Sequence, residues 1–299
     1  FDLYRLTDPE EIDELGLESA LTRGVAVIEW PARGGDRIPE DHVAMLLEEG
    51  DRETLRTVTI TSAASLIERL QRLAAIRAFV EASGWGGPET RLVYLQGDAS
   101  PRRYARLTKT DGARALLVAA PRRPDGPPIR DGKPYSAIAH LAEDVTAFVA
   151  IANALREAGV STPEILAEDF AQGLLIVEDF GDKVFGTEVQ RGADQKGLWR
   201  RATDALLALQ TVPPPQHIRL SDGSRFTLPD ADEDVLEIET QLLLDWYWPA
   251  LHGSPAPQAA RDEFTAEWQR IFKRVLQQPR SWLLRDYHSP NLIALDDRA

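Results

Sequence analysis

Apolar residues recur along the chain with two different periods, which predict a protein of mixed α and β structure. Spacings of three and four residues indicate amphipathic helices, and short apolar runs beside glycine or proline indicate strands. The helical stretches are a short one ending near Leu15 and longer ones at 65–83, 141–158, 198–211, 233–252 and 258–277. The strand-like runs are 1–6, 25–31, 91–95, 104–108, 115–120 and 173–178. The run 25–31 is expected to be a central strand.

Two stretches without either period separate these elements. Residues 49–62 are polar and β-branched, and a domain boundary is expected there. Residues 121–136 hold five prolines, so an irregular connection is expected. The aromatic residues at 246–248 fit either the packing of a helix or, less often, the stacking of a sugar ring. Packing is the interpretation favoured for them.

Composition excludes several classes of function. The 299 residues are 43% hydrophobic and 27% charged, as in ordinary water-soluble proteins, and no apolar run approaches the length of a membrane span. The absence of cysteine and of a signal-peptide pattern at the start of the chain fits a cytoplasmic location. A formal charge of −14 argues against direct binding to nucleic acid, which needs clustered lysine and arginine.

One polar stretch between apolar flanks carries a candidate chemistry. Residues 282–293 predict a strand, a polar loop and a returning strand, with Asp286 standing five residues before Asn291. This is the spacing of kinase catalytic loops, in which the aspartate orients the attacking hydroxyl and the asparagine binds Mg²⁺. By itself such a spacing is more often a solvated turn. The neighbouring arginine, tyrosine and histidine favour a functional site here.

The string L-L-R-D-Y-H-S-P-N-L resembles the catalytic loop of the aminoglycoside phosphotransferase-like kinases. It is most similar to that of the bacterial anomeric kinases of N-acetylmuramate and N-acetylglucosamine, over roughly residues 63–299. The resemblance implies a two-lobed, protein-kinase-like α+β fold with ATP and Mg²⁺ between the lobes. It implies a small sugar substrate, with Asp286 catalytic and Asn291 a metal ligand. It also implies substrate contacts from three neighbours: Arg285, Tyr287 and His288.

A second string, G-D-A-S-P-R-R-Y at 97–104, resembles the nucleotide-side loop of the same kinases. A tight turn of small residues between antiparallel strands can bring backbone N–H groups close to phosphates, although an ordinary hairpin would look similar. The resemblance implies that Ser100, Arg102 and Arg103 contact the nucleotide.

The third strand of most kinases supplies a lysine for the α- and β-phosphates. The corresponding run, 116–120, contains none. Arg102, Arg103 and Arg106 remain open as sources of this positive charge.

The strand-like run at 173–178 leads into a polar turn that ends at Asp182. In the resembling kinases this stretch links the two lobes, and its backbone holds the adenine. The resemblance therefore implies that Glu178 and Phe180 lie at the nucleotide. A strand and turn without a ligand is an equally good interpretation of the residues alone.

The first sixty residues resemble a different family. The strings D-L-Y-R-L, E-L-G-L and V-I-E-W-P are similar to the C-terminal half of the small ATPase subunit that supports threonylcarbamoyl-adenosine modification of tRNA. The resemblance implies part of an α/β P-loop ATPase domain, with Asp2 and Glu29 near nucleotide and metal. The phosphate loop G-x-x-x-x-G-K-[ST] does not occur in the chain, so residues 1–60 are not expected to hydrolyse ATP.

Three parts are expected: 1–60, a nucleotide lobe at 63–180 and a helical lobe at 181–299. The expected function is phosphorylation of the sugar's anomeric hydroxyl, with residues 1–60 as a possible contact to the tRNA-modification complex. Two alternatives stay open: a non-catalytic module serving that complex, and a kinase of aminoglycoside antibiotics, whose positive charge the acidic chain would attract.

Kinases also need a second metal-binding aspartate, which follows the asparagine at some distance. Asp296 and Asp297 lie too close to Asn291 for this role, so the chain is expected to be truncated.

Overall fold

The computed structural model describes residues 1–50, 56–96 and 102–296. It divides the chain into two units, Phe1–Ala75 and Ile76–Ala299. The three predicted parts remain a prediction. None of the helices in the described ranges combines the length and the apolar character needed to cross a bilayer.

The first unit begins with two short helices, α1 (Glu11–Leu15) and α2 (Leu17–Leu21), over a small apolar cluster. The carboxylate of Glu11 accepts hydrogen bonds from the backbone N–H groups of Thr7 (3.3 Å) and Asp8 (3.0 Å), an arrangement that caps the start of α1. A further hydrogen bond from the Thr7 hydroxyl contributes most to lowering the pKa of Glu11. The helix predicted to end near Leu15 is confirmed.

The predicted central strand at 25–31 is wrong, and so is the strand at 1–6. Only one parallel bridge joins them, between Asp2 and Glu29. Alternation of side chains does persist, since Ala26 and Ile28 pack on the apolar cluster while Val25 is 95% exposed. A strand needs a neighbour that pairs along its length. In the described part of this unit, residues 1–6 and 25–31 share a single bridge and pair no further. A kinked 3₁₀ segment follows at Pro31–Arg37.

Two antiparallel strands, β1 (Ala44–Glu49) and β2 (Arg56–Thr61), follow; β2 lies within the stretch 49–62 that was expected to be a boundary, and β1 ends where that stretch begins. Threonine and valine in β2 are β-branched, which suits a strand. Helix α3 (Ala64–Ala82) follows and confirms the helix predicted at 65–83. Its predicted apolar stripe is buried only near its C-terminal end, at Ile76 and Val80, whereas Leu73 is 52% exposed.

The second unit is built around a five-stranded antiparallel sheet in the order β3-β4-β5-β9-β8. Its strands are β3 (Arg91–Tyr94), β4 (Arg103–Thr108), β5 (Arg114–Ala119), β8 (Ile165–Asp169) and β9 (Leu174–Glu178). One face packs on the C-terminal end of α3, and the opposite face packs on helix α5 (Val145–Glu157). The strands predicted at 91–95, 104–108, 115–120 and 173–178 are confirmed.

The connection from β5 to α5 has more structure than its prolines indicated. It contains a small hairpin, β6 (Pro128–Arg130) and β7 (Lys133–Pro134), followed by the single-turn helix α4 (Tyr135–Ile138). Proline suits the edge of a two-stranded hairpin, where its missing N–H is not needed for pairing. This segment, 128–139, is called the strap below.

Helices make up most of the rest of the unit; they confirm the predicted stretches at 198–211, 233–252 and 258–277 and add α6, which was not predicted. They are α6 (Phe185–Gln190), α7 (Gln195–Gln210), α8 (Glu233–Leu242), α9 (Trp248–His252) and α10 (Gln258–Val275), with a short hairpin of β10 (His217–Arg219) and β11 (Arg225–Thr227) between α7 and α8. A π-helical turn, Leu243–Tyr247, joins α8 to α9. Trp246 and Tyr247 are 75% and 62% exposed, so the packing interpretation is wrong for these two aromatics.

Candidate active site

The polar loop 285–291 lies against the chain that follows the sheet. Backbone N–H of Phe185 donates to the carbonyl of Leu292 at 2.9 Å, and that of Ala294 donates to Lys183 at 2.8 Å. Val184 and Ile293 form an isolated antiparallel bridge between these segments. The two strands predicted on either side of the loop are therefore wrong, because the described residues 282–293 form this single bridge and no strand. The pairing nevertheless brings the loop beside the exit of the predicted linker.

Hydrogen bonds within the loop join the two residues singled out by their spacing. The side-chain N–H of Asn291 donates to the backbone carbonyl of Asp286 at 3.0 Å. Backbone N–H of His288 donates to the same carbonyl at 3.1 Å, and that of Asn291 donates to the carbonyl of His288 at 2.9 Å. A 3₁₀ turn at Ser289–Asn291 makes these contacts possible. The loop backbone around Asp286 is thereby fixed from inside.

Side chains alternate in direction along the loop. The carboxylate of Asp286 is 89% exposed, and the imidazole of His288 lies 3.6 Å from it and is 54% exposed. The side-chain nitrogen of Asn291 lies 3.2 Å from Nε2 of His288. When Nε2 accepts that hydrogen bond it carries no proton, so it cannot donate to Asp286. This arrangement leaves the carboxylate open to a ligand.

Arg285 and Tyr287, which were predicted to contact the substrate, both hydrogen-bond to other parts of the protein; the Arg285 side chain is 37% exposed and Tyr287 is half-buried. The Tyr287 hydroxyl donates to the carbonyl of Ala202 at 2.9 Å, and its ring packs on the cluster of Phe185, Leu198 and Ala202. Burial raises the pKa of Tyr287. The Arg285 guanidinium donates to the carbonyl of Ala139 and to the carboxylate of Glu239.

The predicted linker is held by an ion cluster that its sequence did not reveal. Arg106 on β4 donates through Nε to Asp179 at 2.7 Å and through Nη2 to Asp182 at 2.7 Å. The Asp179 side chain is fully buried, and it also accepts from the backbone N–H of Gly181 at 2.9 Å. The hydrogen bond from Arg106 is the main cause that lowers the pKa of Asp182. Arg106 and its partners are 73 and 76 residues apart, beyond any spacing rule.

The other residues predicted at the nucleotide lie around β4 and in the predicted linker, apart from Ser100. Ser100 lies outside the described residues, together with the rest of 97–101. Arg103 is exposed at the start of β4 and Arg102 is half-buried beside it. Glu178 accepts a hydrogen bond from the backbone N–H of Glu164 at 3.2 Å. Phe180 is half-buried in the linker.

Oxygen donors for a metal ion are present in the loop 285–291. Within the described ranges, no group of three or more histidine, aspartate or glutamate side chains could hold a metal ion. An exposed carboxylate at Asp286 and the amide oxygen of Asn291 are hard oxygen donors, which suit Mg²⁺ when phosphates and water complete its shell. Asp296 is engaged elsewhere, because it pairs with Lys183 at 2.6 Å. Asp297 lies outside the described residues.

In the first unit, the two predicted carboxylates stand on neighbouring segments. Backbone N–H of Leu3 donates to the carbonyl of Glu29 at 3.0 Å, and that of Glu29 donates to Phe1 at 2.8 Å. The Asp2 carboxylate accepts from the backbone N–H of Tyr4 at 3.0 Å. Both acidic residues are exposed. The two residues lie on bridged segments, and their predicted place near nucleotide and metal stays a prediction.

A five-stranded antiparallel sheet followed by helices, with an Asp-and-Asn loop beside the chain that leaves the sheet, is the arrangement expected of a kinase-like phosphotransferase. Residues 91–299 match the model of the phosphotransferase enzyme family, APH, and the chain belongs to that family. Residues 1–58 match the model of the threonylcarbamoyl adenosine biosynthesis protein TsaE. The two resemblances seen in the sequence are thus confirmed, although the P-loop ATPase fold of the first unit is not.

Similar proteins with assigned names agree with both matches. An N-acetylmuramate/N-acetylglucosamine kinase of Caulobacter vibrioides is 36% identical over 236 residues, covering 76% of this chain and 64% of the relative. A kinase of the same name from Pseudomonas aeruginosa is 34% identical, covering 71% of this chain and 54% of the relative. The tRNA threonylcarbamoyladenosine biosynthesis protein TsaE of Rickettsia felis is 37% identical over 73 residues, covering 24% of this chain and 43% of the relative. The chain therefore spans between about half and two thirds of the kinases it matches.

Proposed function

We propose that this chain transfers the γ-phosphoryl group of ATP to a hydroxyl of a small amino sugar. The observation that carries the proposal is the loop 285–291, where Asn291 holds the backbone of Asp286 and leaves its carboxylate exposed. Similarity to kinases named for N-acetylmuramate and N-acetylglucosamine supports those sugars as acceptors. Their anomeric hydroxyl is the proposed site of phosphorylation.

Asp286 is the proposed catalytic residue. Its carboxylate accepts a hydrogen bond from the attacking hydroxyl, orients the oxygen towards the γ-phosphorus and takes the proton as the new O–P bond forms. The bond between the γ-phosphorus and the bridging oxygen breaks, and ADP carries that oxygen away. Little covalent chemistry is asked of the protein in such a transfer, so orientation supplies much of the rate. His288, exposed beside Asp286, is the proposed acceptor contact.

Asn291 is the proposed protein ligand of Mg²⁺, with its amide oxygen as the donor atom. Bound Mg²⁺ supplies neutralisation of the phosphate charge. Arg102 and Arg103 are the proposed phosphate contacts, together with Ser100, and the backbone of Glu178 and Phe180 is proposed to hold the adenine. Arg106 is set aside from the three arginines because two carboxylates already neutralise it.

A direct assay tests the proposal. The protein is incubated with Mg²⁺, ATP and either amino sugar, and phosphorus NMR follows the appearance of a phosphate on the anomeric carbon. A cationic aminoglycoside serves as the competing acceptor. Transfer to the amino sugar alone supports the proposal, and transfer to the aminoglycoside alone supports the antibiotic kinase. Binding of ATP without transfer to any acceptor favours a non-catalytic module.

Residues 1–60 are proposed to contact the tRNA-threonylcarbamoylation complex. Their match to the TsaE family supports this role, while their lack of a phosphate loop argues against ATP hydrolysis there. Size-exclusion chromatography with the purified subunits of that complex tests the contact. Elution of the chain at its own volume in every mixture would contradict it.

A further inference from the structure

Three distant parts of the second unit meet at Arg285. Its guanidinium donates to the backbone carbonyl of Ala139, at the end of the strap, and to the carboxylate of Glu239 on α8. The hydroxyl of Tyr135, also in the strap, donates to that carboxylate at 3.1 Å. Arg285 lies 146 residues from Ala139 and 46 from Glu239. The residue directly before Asp286 is therefore anchored to two elements outside the loop.

The strap is itself fastened to α8, so it offers a firm anchor. Ile138 and Ala139 are buried against Ile238 of α8. At the other end of the strap, Arg130 donates to Gln241 at 2.6 Å and lies 3.5 Å from Glu237. These contacts lie within one turn of α8, Glu237–Gln241, and they join both ends of the strap to that turn. The carbonyl of Ala139 follows the last turn of α4, where carbonyls lack a helical partner and accept from side chains.

The chemistry of Arg285 suits anchoring. A guanidinium presents several N–H donors in a fixed plane, so it can hold a carbonyl and a carboxylate in one geometry. Its charge is balanced by Glu239, whose side chain is 37% exposed. Partial burial and the nearby Glu239 raise the pKa of Tyr135, which keeps its hydroxyl protonated as a donor. Each member of the network thus has a partner of the right kind.

We infer that Glu239 is a positioning residue for the catalytic loop, acting by holding Arg285 against the strap and so fixing the backbone of Asp286. The inference rests on the proposed role of Asp286. Consecutive Cα atoms are about 3.8 Å apart, so movement of the Arg285 backbone is passed to Asp286 directly. A displacement of about 1 Å at a reacting group lowers a rate by about 10²-fold. Glu239 touches neither substrate nor nucleotide in this role.

The chain offers a matched control on the same helix. Glu239→Ala removes the carboxylate that holds Arg285. Glu237→Ala removes one of the two contacts of Arg130, whose hydrogen bond to Gln241 still fastens the strap, so the contacts of Arg285 remain. Both variants lose one ion pair between α8 and its neighbours, so both are expected to lower Tm by similar amounts. Glu239→Gln keeps an acceptor oxygen without the charge, and it provides a milder second variant if Glu239→Ala does not fold.

Amide hydrogen exchange and kinetics are then measured on the whole chain. In Glu239→Ala, exchange at the backbone N–H of His288 and Asn291 is expected to rise about tenfold. In an enzyme that transfers phosphate, kcat is expected to fall about 10–100-fold while the KM for ATP stays within about twofold. The exchange rates and the kcat of Glu239→Gln should lie between those of Glu239→Ala and those of wild type. Glu237→Ala should leave both loop exchange and kcat unchanged.

Two outcomes overturn the inference. Equal changes in loop exchange in Glu239→Ala and Glu237→Ala would show a general loss of α8 packing. Unchanged exchange in both would show that the loop holds its geometry without Glu239. If wild type transfers phosphate to no acceptor, the proposed function fails, and the exchange measurements still decide whether Glu239 positions the loop.

Discussion

Asp286 and Asp179 are both aspartates beside the predicted linker, yet their surroundings are opposite. The Asp286 carboxylate is 89% exposed, and its backbone carbonyl rather than its side chain is held by Asn291. The Asp179 carboxylate is fully buried and bound by Arg106. A reactive carboxylate has to remain open to its substrate, whereas a buried one has to be paired, because an unpaired buried charge is strongly unfavourable. Support for the first comes through the backbone, and support for the second comes through the side chain.

The largest effect is expected from removing the charge of Asp286. Asp286→Asn should lower kcat by about 10²–10⁴-fold, because an amide cannot accept the proton of the attacking hydroxyl. ATP affinity should change by less than about tenfold, since the side chain is exposed and the backbone contacts remain. Steady-state kinetics and calorimetry with ATP measure the two quantities. Near-normal turnover in this variant would remove Asp286 from the catalytic role.

This comparison also separates what the sequence could predict from what it could not. Helices α7 and α10 follow from the spacing of their own apolar residues, and the five-residue spacing from Asp286 indicated Asn291. Such signals are local, so one stretch of sequence contains them entirely. Arg106 finds Asp179 at a separation of 73 residues, and that pairing depends on how β4 and β9 are brought together by the sheet. No local pattern encodes it.

The failed predictions have the same cause. Val25 and its neighbours alternate as a strand should, but the described part of the first unit places no partner strand along them. Trp246 has the spacing of a packed helical residue, yet the π-helical turn shifts the face it presents. Arg285 could be recognised as part of a polar cluster, but its direction depends on Ala139 and Glu239, which the fold brings near.

The second prediction concerns the buried carboxylate of Asp179 and its ion pair with Arg106. Arg106→Ala should lower the free energy of unfolding by about 3 kcal/mol, because it removes the ion partner that hydrogen-bonds the buried Asp179 and leaves Arg114, 3.8 Å away, as its remaining cation among the described residues. Thermal or denaturant unfolding measures this loss. Arg103→Ala is the matched control, since Arg103 is an exposed arginine on the same strand. Equal stability of the two variants would mean that the ion cluster contributes little.

Low pH should reduce the difference in unfolding free energy between wild type and Arg106→Ala. Arg106 lowers the pKa of Asp182 below its ordinary value of 3.8. A carboxyl group whose pKa is lowered by folding stabilises the folded state fully above its ordinary pKa, and this contribution is lost as the pH falls through the lowered value. The wild-type advantage should therefore be constant near pH 7 and shrink below about pH 4. A constant advantage down to pH 2 would exclude Asp182 from the cluster's energetics.

A smaller effect on the rate is expected at Asn291, which holds the loop of the exposed Asp286. Asn291→Ala removes the proposed metal oxygen, so the Mg²⁺ concentration for half-maximal rate should rise by about tenfold. The variant also loses the hydrogen bond to the carbonyl of Asp286. Excess Mg²⁺ compensates for a lost ligand but not for a displaced loop, so recovery of the rate at high Mg²⁺ separates the two causes. An unchanged Mg²⁺ titration would place the metal site elsewhere.

The smallest effect on ATP affinity is expected in the first unit. Its two acidic residues, Asp2 and Glu29, are exposed, but the sequence has no phosphate loop beside them. Asp2 and Glu29 lie on bridged segments, in a stretch of sixty residues with six arginines, no lysine and fifteen acidic residues. An ATP molecule there would meet negative charge without backbone donors or a lysine to balance its phosphates, so repulsion should prevail. Asp2→Asn combined with Glu29→Gln should therefore leave the ATP affinity of the whole chain within about twofold in calorimetry, because the proposed nucleotide site lies in the second unit. A tenfold or larger change in affinity would instead place nucleotide at these carboxylates, and the first unit would have to be counted as a second nucleotide site.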